Sequence, residues 1–319
     1  MGLLLFSSCI KEGPESRLPY ITFGVAEVNA DTKALMTNET LNSSATSVTV
    51  YGVKNNNPIY SGITITKMSD SYNWKPGDSD NELEWGEGSY SFYGYTCSSG
   101  QSVCEIEKEG LKIIVTQPNS YIEADMVDYM LSHAYKVADG TTCPIVTLYM
   151  QHAMACAEII VKQQIPEHKV TLQSISLKGI YRSATMECED QANANSGEYN
   201  VWKTQISGGS DALYEKEFTP AQAQDATLGT MTILAVPQQL TQDAELTVVY
   251  SVDEDNNAST DQIQHVDVFK LFDYMPYVWE SGHKIRYTLN INTGVELYAE
   301  VVDWIPAGYI EGVILPRTE

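Results

Sequence analysis

Positive charge and phenylalanine are scarce in this chain of 319 residues, and long apolar runs are missing. Lys and Arg number 19 against 42 Asp and Glu, which leaves a net charge of −23 at pH 7, and there are only 6 Phe. Such a surface repels phosphate backbones and anionic lipid, so we expect no nucleic-acid partner. No run of about 18 apolar residues occurs, which excludes a transmembrane helix.

Sequence motifs of catalysis and metal binding are also missing. The chain has no G-x-S-x-G, Walker or G-x-G-x-x-G pattern. The acidic run that starts at Asp253 lacks the glycine and glutamate of a calcium loop, since Ala258 and Gln264 stand there. His152 has no second ligand at metal-binding spacing, which favours a core histidine. We expect no enzyme, cofactor or metal, with a hydrolase kept as an outside hypothesis because carboxylates are plentiful.

What the chain does have is tyrosine, 20 residues of it, and many short segments that alternate in polarity. Leu246, Val248, Tyr250 and Val252 alternate with smaller or more polar residues, which predicts a strand with one side on a core. Just upstream, the apolar run 232–236 stops at Pro237, which has no N–H for a strand ladder. We interpret this stretch as a pair of strands joined by a polar connection.

Further strands are predicted throughout the chain, separated by turn residues. They cover residues 21–25, 47–53, 63–68, 89–96, 111–116 and 170–180. Many short strands at such spacing predict an all-β sandwich or barrel. Residues 124–135 fit either a short helix or an irregular segment. The length favours two domains, and we place their boundary near residue 142.

The second half carries the two clearest patterns. Residues 144–162 alternate and predict one long strand, in which Val146, Leu148 and His152 share a face. A helix over residues 150–161 fits less well, because the β-branched ends continue the alternation. Residues 285–301 predict a hairpin around a turn at residues 292–294.

The first residues are similar to a lipoprotein signal. A short apolar run and two serines lead to Cys9, which would carry the lipid, and residues 1–20 would be a signal remnant and linker. A complete signal has a basic start and an apolar stretch of about 7–15 residues. Neither precedes Cys9 here, so we expect the natural start to lie upstream.

Four motifs, in order, resemble those of the fimbrillin (Mfa-like) family of Bacteroidetes pilus subunits. They are Thr32-Lys33-Ala34 after the first strand, Leu148 with His152-Ala153 and Ala155, the "VPQ-x-L" stretch that ends at Leu240, and Trp279 with Gly282, Tyr287 and Asp303-Trp304. The resemblance implies two transthyretin-like β-sandwich domains in series, which we place at residues 21–142 and 143–319. It also implies a non-catalytic fimbrial subunit, exported as an outer-membrane lipoprotein, that assembles with other fimbrial subunits by strand donation.

The same resemblance points to assembly residues. Family members lose their first strand to a protease and receive a strand from a neighbour. Lys33 stands where the family is cut, and Arg17 flanks the strand on its other side. Residues 309–315 (YIEGVIL) are apolar enough to be the donated strand, or they form the last strand of their own domain.

Two further expectations come from the residues themselves. Cys97 and Cys104 bracket a predicted turn, so a disulfide between them is sterically reasonable in an exported protein. The tyrosines at residues 90–95 suggest a sugar-stacking platform. That platform belongs to our alternative function, a monomeric surface lipoprotein that binds a glycan or a host protein through its loops.

Overall fold

Strands make up nearly all of the regular structure. The computed structural model describes residues 20–27, 47–68, 73–98, 105–106, 112–139, 145–164, 168–188, 202–207, 213–219, 227–253, 263–291 and 295–303. The strands of the first half are β1 (Phe23–Glu27), β2 (Ser47–Lys54), β3 (Asn57–Lys67), β4 (Asn73–Pro76), β5 (Gly88–Cys97), β6 (Glu105–Ile106), β7 (Lys112–Thr116), β8 (Tyr129–Ala138) and β9 (Val146–His152). Those of the second half are β10 (Ala155–Gln163), β11 (Lys169–Lys178), β12 (Ser183–Cys188), β13 (Trp202–Ile206), β14 (Leu213–Glu217), β15 (Thr227–Ala235), β16 (Gln238–Gln239), β17 (Glu245–Asp253), β18 (Ile263–Lys270), β19 (Val278–Trp279), β20 (His283–Ile291) and β21 (Val295–Asp303).

The described helical structure consists of short 3-10 turns at Ser79–Asn81, Glu123–Asp125 and Leu271–Asp273. No helix among the described residues has the length and apolar character needed to cross a membrane. The predicted all-β fold is confirmed.

The first half closes into a barrel. Seven strands are hydrogen-bonded in the order β1-β4-β3-β2-β5-β8-β9, and the two ends of this sheet meet. Every second residue of β9 is buried, with Val146, Leu148 and Met150 inside the barrel. Aromatic side chains fill much of the interior, and Trp74 and Phe92 among them are fully buried.

The second half is a sandwich of two four-stranded sheets. Their strand orders are β15-β10-β20-β21 and β14-β11-β17-β18. One apolar cluster holds Ile159 and Tyr287 from the first sheet with Leu172 and Val248 from the second, so the two sheets pack face to face. The predicted hairpin of residues 285–301 is confirmed, because β20 and β21 pair along their whole length.

A buried ion-pair cluster lies on the other face of the first sheet. Glu158 on β10 accepts hydrogen bonds from Lys284 at 2.8 Å and from Arg286 at 2.7 Å. Burial opposes ionisation of this carboxyl, but the two hydrogen bonds and the charges of the two cations together hold its pKa below the ordinary value. Glu158 is therefore a charged link between β10 and β20.

A smaller sheet joins the two halves of the chain. Its order is β13-β12-β7-β6, so β7 from the first half pairs with β12 from the second. The proposed boundary at residue 142 falls between β8 and β9, which are themselves paired in the barrel. The division into two transthyretin-like domains stays a prediction.

The long strand predicted at residues 144–162 is wrong, because the chain divides it into β9 and β10. The break is at Ala153 and Met154, where the chain changes neighbours. Ala153 N still donates to Tyr129 O on β8 at 2.7 Å, whereas Met154 O accepts from Gly282 N, just before β20, at 2.9 Å. β9 belongs to the barrel and β10 to the sandwich. The strand character of the segment is confirmed, and the helix alternative is excluded.

Two other local predictions change. The strands predicted around Pro237 are β15 and β17, which lie in opposite sheets of the sandwich. Residues 236–244 therefore connect the two sheets and do not join two neighbouring strands of one sheet. Along this crossing, β16 pairs with β19. The undecided segment 124–135 is a 3-10 turn followed by β8.

Candidate strand-exchange site

The first strand closes the barrel. β1 pairs in parallel with β9 from Phe23↔Val146 to Glu27↔Met150. It pairs antiparallel with β4 at two positions, Phe23↔Trp74 and Gly24↔Asn73. Ile21 N also donates to Leu83 O at 2.8 Å, and Val146 N donates to Thr22 O at 3.1 Å. The barrel is a closed sheet only while β1 is in place.

The inward side of this segment is apolar and deeply buried. Ile21, Phe23 and Val25 alternate into the core, and Phe23 is 0% exposed. The Phe23 ring meets the Phe92 ring edge to face at 5.4 Å and lies 6.2 Å from the ring of Tyr60. Such edge contacts stabilise aromatic pairs beyond the area they bury. The seat of β1, defined by β4, β9 and these rings, is therefore a shaped apolar groove.

The seat is also electrically neutral at its aromatic wall. Burial, above all, raises the pKa of the Tyr60 hydroxyl to about 12, so this ring stays uncharged at neutral pH. A neutral, apolar groove favours an occupant with alternating apolar side chains and no inward charge.

The outward side of β1 is permissive. A Cβ built on Gly24 would meet Thr147 Oγ1 at 3.8 Å and Ile145 Cγ2 at 3.9 Å, which are ordinary contact distances. The seat therefore selects its occupant through the inward positions and accepts different residues at the outward one.

The predicted processing residues lie around this strand in the sequence. Lys33 falls between β1 and β2, whereas Arg17 precedes β1. Cys9, Arg17, Lys33 and residues 309–315 are all outside the described residues. Their roles stay predictions.

One of the two cysteines of the predicted disulfide lies among the described residues. Cys97 is the last residue of β5 and is buried. Cys104 lies outside the described residues, so the disulfide stays a prediction.

The sugar platform predicted at residues 90–95 is wrong. Tyr90, Tyr93 and Tyr95 are all buried, and the Tyr90 ring stacks on Phe92 at 6.0 Å inside the protein. Ligand stacking needs exposed ring faces, which these tyrosines do not offer.

His152 is a buried core histidine, as predicted, but sequence reasoning missed its partner. Its Nδ1 lies 3.0 Å from Asp128 Oδ1, and both side chains are almost fully buried. Asp128 stands just before β8, and the β8–β9 pairing brings it to His152. Among the described residues, no group of three or more His, Cys, Asp or Glu is arranged to hold a metal ion.

The comparison with protein families agrees with this architecture. The fimbrillin-like family model matches residues 32–304. The chain belongs to the fimbrillin-like family. A fimbrillin-like chain is a structural subunit of cell-surface fimbriae, which assembles with other fimbrial proteins.

Solved structures share the fold of this fimbrillin-like chain at low sequence identity. A fimbrial protein from Bacteroides vulgatus is 13% identical, with a TM-score of 0.58 over 89% of this chain and 99% of that one. Proteins assigned to cell adhesion from Bacteroides uniformis and Bacteroides ovatus give TM-scores of 0.57 and 0.55 at 13% and 15% identity, over 89% and 92% of this chain and 99% and 100% of theirs. Identity this low shows the shared fold alone. No curated protein matches the chain.

Proposed function

We propose that this fimbrillin-like chain polymerises by strand exchange at the seat of β1. A protease removes β1, and a strand from another subunit takes its place between β4 and β9. The observation that carries the proposal is the burial of Ile21, Phe23 and Val25 in a groove that no other described strand fills. Loss of β1 exposes this groove and two unpaired strand edges, which together favour pairing with another chain.

The seat offers enough binding energy for a durable joint. Three buried apolar side chains at ~1.5–3 kcal/mol each contribute roughly 5–9 kcal/mol before the cost of ordering the incoming strand. Backbone hydrogen bonds to β9, which runs beside β1 over five residue pairs, add to this total. A non-covalent fibre joint of this kind needs no disulfide.

The place of the cut follows from the chain order. Cleavage after Lys33 separates β1 covalently from the rest of the barrel, because Lys33 follows β1 and precedes β2. Cleavage after Arg17 leaves β1 attached. We therefore assign the processing cut to Lys33.

The donor that we propose is the segment 309–315, which follows β21. Its sequence, YIEGVIL, begins with Tyr-Ile and contains Gly-Val, as residues 20–25, YITFGV, do. The two segments differ by one residue in spacing, so both dipeptides cannot match at once. Matching Tyr-Ile gives Ile310 and Ile314 the inward places of Ile21 and Val25. Matching Gly-Val would put Glu311 in the place of Phe23, so the first register fits the neutral groove. If the tail instead completes its own sandwich, the donor comes from another subunit type.

Export precedes assembly in this proposal. Cys9 is lipidated and holds the subunit at the outer membrane until cleavage releases it. A Cys9→Ala variant with the full natural signal should be released or fail to mature. Membrane association unchanged by that substitution would contradict the lipid anchor.

The decisive experiment compares three forms of the purified protein. Forms that start at Ala34 or at Leu18 mimic cleavage after Lys33 and after Arg17, and the uncut chain is the reference. Samples run on denaturing gels without boiling should show ladders for the Ala34 form alone. Deleting residues 309–319 from that form should abolish the ladders.

Each other outcome has a definite meaning. Ladders that persist without residues 309–319 would assign the donor elsewhere. Ladders from the Leu18 form would contradict the need to remove β1. Monomers in every form would overturn polymerisation and favour a tip subunit or the monomeric surface lipoprotein.

A further inference from the structure

The strand β18 lies at the open edge of its sheet and lacks two of the usual protections of such an edge, proline and a bulge. It is eight residues long and lies at the end of the sheet β14-β11-β17-β18, with no described strand on its outer side. It pairs with β17 without a bulge and contains no proline. Proteins usually protect edges of this length with prolines, bulges or charges, because unpaired edges recruit other strands.

The solvent face of β18 is apolar at its centre. Val266 is 59% exposed and Val268 is 54% exposed. Their neighbours across β17 are Val249 and Thr247, so β-branched side chains continue along the face. Lys270, at the end of the strand, is already paired with Glu245.

The opposite face of β18 carries two polar side chains. His265 stacks on Tyr250 at 5.1 Å. Burial raises the pKa of the Tyr250 hydroxyl, and so does the hydrogen bond that this hydroxyl donates to Asp267. An inward carboxylate at a strand edge normally discourages pairing. A partner strand must therefore place a hydrogen-bond donor opposite Asp267.

We propose that β18 pairs antiparallel with β18 of a second copy of this chain, with the two-fold axis at Val266. This register sets His265 opposite the second copy's Asp267, and Asp267 opposite its His265. An imidazole has an N–H to donate in either protonation state, so each carboxylate gains a donor. Phe269 falls opposite Ile263 at both ends, and the two Val266 side chains meet at the centre.

The neighbouring registers that keep both faces matched are worse. An axis at Asp267 sets two carboxylates directly opposite each other, and an axis at His265 sets Asp267 opposite Ile263. Like charges directly opposite each other across strands are destabilising. A carboxylate opposite an apolar side chain finds no hydrogen-bond donor there. Charge complementarity thus selects the axis at Val266.

This contact is distinct from strand exchange at the seat of β1. It uses the intact chain, requires no proteolysis and joins the C-terminal sandwiches of two copies side by side into one eight-stranded sheet. Either proposal can fail without affecting the other, because the uncut chain keeps β1 and therefore tests only the β18 contact.

The first test is site-specific cross-linking of the full chain. Two residues directly opposite each other across antiparallel strands lie close enough for a disulfide, whereas Val268 and its copy would be about 14 Å apart, beyond disulfide reach. Mild oxidation should therefore convert Val266→Cys, and not Val268→Cys, into a covalent dimer. The two positions share a strand, a face and similar exposure, and the unsubstituted chain under the same oxidant shows the background.

The second test exchanges the charges and measures association by sedimentation of the full chain. His265→Asp alone sets carboxylates opposite each other twice and should weaken the dimer at least about tenfold. Asp267→His alone should weaken it as well. An equimolar mixture of the two variants should associate as a heterodimer, because each His then faces an Asp again. If the midpoint of thermal unfolding of each variant lies near that of the unsubstituted chain, the sandwich remains folded.

Three results would overturn the proposal. The first is an unsubstituted chain that stays monomeric at about 100 µM in sedimentation, a concentration at which a contact of this kind should be populated. The second is equal cross-linking of the two cysteine variants. The third is cross-linking of Val266→Cys only after residues 304–319 are deleted, which would assign the edge to the chain's own tail.

Discussion

Replacing Phe23 with alanine tests whether β1 holds the barrel closed. The Phe23 side chain is 0% exposed and contacts the rings of Phe92 and Tyr60. Removing a buried phenylalanine side chain costs about 3–5 kcal/mol, from lost transfer energy and from the cavity that is left. Because the contacts of Phe23 lie within the barrel, we expect the loss to fall on β1 and its two neighbours first.

Two measurements check this expectation. The midpoint of thermal unfolding of the barrel should fall by at least ~6 °C. Amide hydrogen exchange should accelerate in β1, β4 and β9 before it does in the sandwich, because local opening exposes the strand edges first. Thr22→Ala is the matched control one residue before β1, since Thr22 alternates with the buried positions and should change stability by less than ~0.5 kcal/mol.

One pattern would refute the reasoning. If Phe23→Ala shifts the unfolding midpoint no more than Thr22→Ala does, then the seat of β1 does not hold the strand as described. Uniform acceleration of exchange over barrel and sandwich together would show that β1 does not open as a separate unit.

The remaining predictions concern the sandwich. Leu289→Asp puts an unpaired carboxylate in the core and should cost at least ~4 kcal/mol, whereas Asn290→Asp on the opposite face should be nearly neutral in chemical denaturation. Tyr287→Phe removes the hydroxyl that accepts the indole N–H of Trp279 at 2.9 Å, and should cost about 1–3 kcal/mol by the same assay. The lowered pKa of Glu158 means that its ion pairs stabilise the fold above about pH 4.5, its ordinary value, and that this contribution is lost as pH falls. Glu158→Gln should therefore be destabilised by ~1–3 kcal/mol at pH 7, a figure reduced for the partly exposed arginine partner, and the deficit should shrink below pH 4.5; a constant deficit would contradict the shift.

Sequence reasoning worked best where one face of a strand meets solvent. In the hairpin of β20 and β21, Ile285, Tyr287 and Leu289 are buried and alternate with less buried residues. Polarity then follows the period of the backbone, and both the strands and their pairing can be predicted. The first strand was predicted for the same reason.

The wrong or undecided strand predictions concern strands that are buried on both faces. β8 begins with six consecutive buried residues, and β10 with five, so neither shows the alternation that marks a strand. This is why residues 124–135 stayed undecided and why the break at Ala153 and Met154 was missed. The partnership of His152 with Asp128 has no sequence signal either, because it depends on a strand pairing that spacing does not encode.

The pairing of Phe23 with Val146 also has a consequence for when the barrel can close during folding. Contacts between distant parts of a chain carry a larger loop-closure cost and form late in folding. During synthesis or export, β1 emerges long before β9, and until β9 arrives its segment has the short pairing with β4, the hydrogen bond to Leu83 and the contacts of Phe23 with Tyr60 and Phe92. The barrel therefore closes only once β9 is in place, and β1 can be withdrawn without breaking the hydrogen bonds among β4, β3, β2, β5, β8 and β9.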